Sequence, residues 1–113
     1  LITAGAETHS YTALNKDEYL ERVTYRLIDD EPLAEECRRV ALGAYHALGC
    51  RDAARVDLRC DEHGVPCFLE ANPLPGLNHV RSDLPIMARL AGRTYGELLG
   101  WILEAAARRC GLH

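Results

Sequence analysis

The sequence predicts an α/β (α+β) domain in which an antiparallel β-hairpin packs with helices. Three features predict it: a helical apolar period over residues 32–48, two extended runs on either side of a polar D-E-H-G, and two more capped helical patterns near the end of the chain. With 113 residues, the length suits a single domain spanning 1–113, with an irregular segment over 1–18 and a globular part over 19–113.

Residues 1–15 are rich in Thr, Ala, Gly and Ser without a sustained period, so a loop or a frayed edge element is expected there. Residues 19–29, YLERVTYRLID, alternate with Val23, Tyr25 and Leu27 on one side, as a strand does. In the next stretch Leu33, Cys37, Val40, Ala41, Ala44 and Leu48 recur at helical spacing. Acidic residues and Pro32 occupy the first turn and Gly49 follows, which predicts a helix over 32–48. AARVDLRC and VPCFLEAN then read as two strands joined by a four-residue loop, Asp61–Gly64, with Pro66 placing the second strand's start near an edge or bend. Ser82 or Asp83 offers a cap to a helix with Pro85 in its first turn and Gly92 as its stop. Thr94 and Glu97 form a capping-box pattern for the last helix, whose apolar face is Leu98, Leu99, Ile102, Leu103 and Ala106 and whose end carries Arg108 and Arg109.

Composition excludes several classes. A net charge of −4 provides no basic field for nucleic acid. No apolar run reaches the roughly 18 residues that span a membrane, and no signal-peptide pattern opens the chain, so a cytoplasmic protein without membrane partners is expected. The 5 cysteines are scattered without a C-x-x-C pair, which points to reduced, mostly buried thiols rather than a zinc site. A start at Leu1 within irregular sequence suggests a piece of a longer protein.

The hairpin carries the chemistry. Side chains alternate across a strand, so Arg55, Asp57 and Arg59 share one face, and Pro66, Phe68, Glu70 and Asn72 share another. The four-residue loop would pair Cys60 with Val65, set Leu58 against Cys67 and Arg55 across from Glu70, and leave Asp57 diagonal to Glu70 at about 7 to 8 Å. A slip of one residue would separate these groups. Asp57, Glu70 and Asn72 are hard oxygen donors of the kind that suit Mg²⁺, which keeps water and substrate phosphates as its other ligands. Arg55 suits negative charge developing on phosphate or on a tetrahedral carbon. Together they read as phosphoryl chemistry on a nucleotide. The residues leave open a blander reading, a cross-strand Arg55–Glu70 ion pair with Asn72 starting a turn.

R-V-D at 55–57 followed by L-E-A-N-P-L-P-G at 69–76 resembles the metal-binding end of the ATP-grasp carboxylate–amine ligases, nearest to D-alanine:D-alanine ligase. The likeness runs from about Lys16 to Arg109. It implies the C-terminal subdomain of an ATP-grasp fold, with residues 1–18 as a lid-like segment. The implied activity phosphorylates a carboxylate with ATP and lets an amine displace phosphate, in cell-wall or peptide-like synthesis. The implied cofactors are ATP and two Mg²⁺ ions, with Mn²⁺ able to substitute. Small amino-acid or carboxylate substrates, the remaining domains of the same ligase and a homodimer are the implied partners.

Residue by residue, the resemblance makes Asp57, Glu70 and Asn72 metal ligands, with Glu70 also at the nucleotide. Arg55 matches the arginine that steadies the transferring phosphoryl group, and the Gly76 N–H a donor to the tetrahedral intermediate. Leu69 matches an apolar residue under the adenine, and Lys16 a lid lysine. Two departures stand out: Pro73 replaces the usual Thr, and L-N-H-V-R-S-D is one residue longer than the family's serine-rich stretch. Ser82 keeps its distance to Pro85 and is the candidate for holding a substrate carboxylate, with His79 beside it. The other histidines read as surface or packing residues, Tyr95 and Trp101 as helix packing, and Tyr25 and Arg26 as strand rather than covering loop. The 113 residues alone are expected to be inactive, and a non-catalytic nucleotide-binding module is the alternative function.

Overall fold

A computed structural model describes residues 2–4 and 23–112. In chain order its elements are β1 (Ile2–Ala4), β2 (Val23–Tyr25), α1 (Pro32–Ala47), β3 (Arg55–Cys60), β4 (Pro66–Asn72), α2 (Asp83–Leu90) and α3 (Tyr95–Arg109). β1 pairs antiparallel with β2, and β3 with β4, as two separate two-stranded sheets. The segment that holds Lys16 lies outside the described residues.

The strand expected over 19–29 is confined, among described residues, to Val23–Tyr25. It pairs along its whole length with β1, Ile2 opposite Tyr25 and Ala4 opposite Val23. Helix α1 matches its expected span to within a residue. Pro32 sits at its start and Gly49, at φ 70°, reverses the chain after it. Cys50 N–H then reaches Tyr45 O at 3.0 Å and Gly49 N–H reaches His46 O at 3.1 Å, a Schellman closure. The last helix has the anticipated capping box, with Glu97 N–H on Thr94 Oγ1 at 3.1 Å and Thr94 N–H on Glu97 Oε1 at 3.2 Å.

The hairpin register differs from the expected one. Asp61 N–H bonds Val65 O at 2.9 Å and Gly64 N–H bonds Asp61 O at 3.0 Å, so the tip is Glu62–Gly64 and Cys60 pairs with Pro66, not Val65. The carboxylate of Asp61 makes this tip by accepting from His63 N–H and Val65 N–H, which a count of loop residues cannot foresee. Left alone, that register would send Glu70 and Asn72 to the face of Val56. A bulge at Leu69 shifts the pairing back, so that Leu58 opposes Phe68, Asp57 opposes Glu70 and Arg55 opposes Asn72. Pro66 and Phe68 therefore lie on the Leu58 face, opposite Glu70 and Asn72, and do not share a face with them as strict alternation predicts.

α1 packs on β3 and β4, and α2 packs on α3. The core is thin: among described residues Ala34, Pro85, Ile86 and Ala88 are buried, together with Pro66. Leu48 and Leu103, expected on apolar helix faces, are 60% and 69% exposed. Trp101 is also half-exposed, with the Arg93 guanidinium 6.0 Å from its ring. The cysteines are free thiols but not buried, since Cys60, Cys67 and Cys110 are exposed and Cys37 and Cys50 only partly covered. What cover Cys37 has pushes its thiol pKa up. No described helix is long and apolar enough to cross a membrane.

Candidate functional site

Arg55, Asp57, Glu70 and Asn72 occupy one face of the hairpin, with Asp57 directly opposite Glu70. The expectation of Arg55 opposite Glu70 is thus corrected, and the opposed carboxylates come nearer each other than the diagonal placement allowed. Arg55 holds Asp57 in a bidentate grip, Nε to Oδ1 at 2.8 Å and Nη2 to Oδ2 at 3.0 Å. The same guanidinium lies 3.9 Å from Glu70 Oε1 and, through Nη1, 3.5 Å from Asp83 Oδ2.

Three carboxylates face the one guanidinium of Arg55 and outnumber it by two charges. Hydrogen bonding to Asp57 raises the Arg55 pKa, the charges of Asp57, Asp83 and Glu70 add to it, and partial burial opposes it. Such a surplus favours cations. Among described residues no three acidic, His or Cys side chains converge on a metal position. Asp57 and Glu70 therefore need Asn72 as a third donor, with water or phosphate oxygens beyond it, a composition that suits Mg²⁺. Asn72 Oδ1 accepts Leu74 N–H at 3.1 Å and so starts the turn, as the blander reading held, yet an amide oxygen keeps a second lone pair. The donor set fits a hard divalent cation, provided Asp57 exchanges part of its grip on Arg55. A cleft of about 500 Å³ bounded by Leu48, Asp52, Ala71 and Pro73 includes none of Arg55, Asp57 and Glu70.

The loop after β4 gathers the remaining candidates. A Cβ at Gly76 would stand 2.7 Å from Ser82 Oγ, so glycine lets this backbone approach the serine. Ser82 Oγ does not cap α2; it accepts Asn78 N–H at 2.9 Å. Asn78 Oδ1 in turn accepts Val80 N–H and Arg81 N–H, both at 3.0 Å. Tyr95 OH donates to Leu77 O at 2.5 Å, and Arg89 donates to the His79 and Val80 carbonyls. The His79 side chain is exposed and tilts against Tyr95, ring centres 5.7 Å apart. Leu69, at the bulge, is 59% exposed. Gly76 and Ser82 are thus brought together.

Asp83 and Tyr25 belong to the site and were read from sequence only as a cap and a strand residue. The Tyr25 hydroxyl donates to Asp83 Oδ1 at 3.3 Å, which links β2 to the start of α2. Nothing in local spacing marks either residue, because the contact joins positions far apart along the chain.

Comparison with known proteins bears on the family. Residues 2–104 match the family model described as D-ala D-ala ligase C-terminus. A D-alanine–D-alanine ligase of Parvibaculum lavamentivorans is 43% identical over 82 residues, covering 69% of this chain and 26% of the relative. An uncharacterized protein of Sinorhizobium fredii, y4sG, is 41% identical over 80 residues, covering 71% and 24%. Among solved structures, D-alanine–D-alanine ligase from Bacillus anthracis superposes with TM-score 0.70 at 32% identity, over 95% of this chain and 34% of that one. The same enzyme complexed with ATP gives TM-score 0.61 at 36% identity, over 77% and 29%. The chain thus spans about a quarter of the length of the curated relatives it matches.

Proposed function

This chain belongs to the D-ala D-ala ligase C-terminus family, and from that membership we propose that it is the phosphate- and metal-holding part of an ATP-dependent carboxylate–amine ligase. The observation that carries the reading is the opposed pair Asp57 and Glu70 with Arg55 beside them on one strand face. A module that only binds nucleotide needs the carboxylates and has no use for the arginine.

In the reaction proposed, a substrate carboxylate oxygen attacks the γ-phosphorus of ATP and ADP departs, leaving an acyl phosphate. The amine nitrogen then attacks the acyl carbon, and the tetrahedral intermediate collapses to an amide as inorganic phosphate leaves. Both steps gather negative charge in one place, so fixed positive charge is the main lever. Asp57, Glu70 and Asn72 would hold Mg²⁺, which when bound neutralises phosphate oxygens. Arg55 directs guanidinium N–H groups at the transferring phosphoryl group, and the Gly76 N–H is assigned to the developing oxyanion. Ser82 Oγ receives a hydrogen bond from Asn78, which leaves its own proton free to donate to a substrate carboxylate. Lys16, Leu69 and His79 are assigned to the lid, the adenine and the substrate side. The substrates are small amino acids or other carboxylates, and the partners are the further domains that longer relatives possess.

The test is phosphate release from ATP by the ligase that carries this segment, with Mg²⁺ and D- and L-amino acids offered singly and in pairs. Release that depends on a particular acid is expected. ATP binding without turnover under every pairing would replace the ligase with a nucleotide-binding module.

A further inference from the structure

We propose that Asp83 is a positioning residue that holds Arg55 when Asp57 releases it, an inference that rests on the ligase reading. Asp57 occupies the Nε/Nη2 edge of the guanidinium, whereas Asp83 approaches the remaining nitrogen, Nη1, at 3.5 Å. The two aspartates therefore do not compete for the same donors. Only one of them is a candidate metal ligand. Cations drawing on Asp57 and Glu70 would weaken the bidentate grip at the moment Arg55 must be aimed.

Asp83 is built to stay. Its side chain is 19% exposed, against 32% for Asp57 and 69% for Glu70, which makes it the most covered of the three carboxylates around Arg55. Each of its oxygens has its own partner, Oδ2 the guanidinium and Oδ1 the Tyr25 hydroxyl. It is also the first residue of α2, where the helix dipole favours an anion. Directly before it stands Ser82, so a single helix start fixes the arginine of the phosphoryl side and the serine assigned to the substrate side.

The sign of the effect separates positioning from background charge. An aspartate that merely adds negative potential beside a triphosphate opposes ATP, so its removal would tighten ATP and leave the rate unchanged or faster. A positioning residue gives the reverse pattern. Asp83→Asn keeps shape and an acceptor for Tyr25 but removes the charge facing Arg55. In the ligase carrying this segment we expect kcat to fall about 10- to 100-fold with KM for ATP unchanged or lower and the melting temperature held. Asp83→Glu should recover part of the loss, and Asp83→Asn should cost nothing further in an Arg55→Ala background. A wild-type kcat in Asp83→Asn, or additive losses in the double variant, would overturn the proposal.

A second measurement does not depend on turnover. With Mg²⁺ present, the Arg55 Nη1–H resonances should exchange slowly in the wild type and rapidly in Asp83→Asn, because Nη1 is the nitrogen that faces Asp83; equal exchange in the two would also overturn the proposal. If the wild type releases no phosphate with any acid, the ligase reading fails by itself and this NMR comparison decides whether Asp83 holds Arg55.

Discussion

Arg55–Asp57 and Arg109–Asp52 are two arginine–aspartate pairs of nearly the same geometry. Arg55 meets Asp57 at 2.8 and 3.0 Å, and Arg109 meets Asp52 at 3.0 and 2.8 Å, both through Nε and Nη2. The first pair lies two residues apart on one strand; the second joins residues 57 apart and ties the end of α3 to the turn before β3. Arg55 faces two further carboxylates, whereas among the described residues Arg109 is paired with Asp52 alone. Surplus charge separates them: the balanced pair is a fastener, and the unbalanced pair is the one proposed to draw cations. A bidentate contact by itself says nothing about function.

That contrast can be broken most forcefully at the carboxylates. Asp57→Asn or Glu70→Gln in the proposed ligase should cut turnover by about 10³-fold or more while circular dichroism stays native. Wild-type rates in either variant would remove the metal assignment. Arg55→Ala should come next, with kcat down about 10²-fold or more and the Kd for ATP changed far less. An affinity loss with normal kcat would assign Arg55 to ground-state binding. Arg109→Ala should lower the melting temperature by about 2 to 4 °C and leave kcat and KM alone, because it cuts a tie and not a site.

The smallest expected effect is a pH signature. The hydrogen bond from Arg109 holds the Asp52 carboxyl below the usual aspartate range. A carboxylate whose folded-state pKa is depressed contributes stability that is fully present above the unfolded value, about 4, and is lost as pH falls through the folded one. Melting curves of wild type and Asp52→Asn should therefore differ at neutral pH and converge in acid. A gap that persists in acid would mean that Asp52 matters through something other than its charge, and not through its left-handed backbone, φ 64°, which Asn also adopts.

Much of this was legible in the sequence, for reasons that differ by element. The helices carried their own signals: Pro32 and Gly49 at the two ends of α1, and Thr94 with Glu97 opening α3, act within one turn. The chemical face was legible because Arg55, Asp57, Glu70 and Asn72 alternate as strand residues do. Its pairing was not, because the Asp61 side chain sets the tip and the bulge at Leu69 leaves no local mark. Asp83 and Asp52 escaped for a common reason: their partners come from distant parts of the chain.

The hairpin also constrains how this stretch of chain can change. Its tip and its bulge are two departures from the simplest pairing that cancel, much as two compensating frameshifts restore a reading frame. At unchanged length, losing the bulge alone would move Glu70 and Asn72 to the Val56 face, whereas losing it together with the three-residue tip would return them to the Arg55 face; deleting Leu69 outright should leave Glu70 opposite Asp57 in an unbroken ladder. A relative with the same number of residues between Arg55 and Asn72 that has lost one of the two departures should therefore have lost the other.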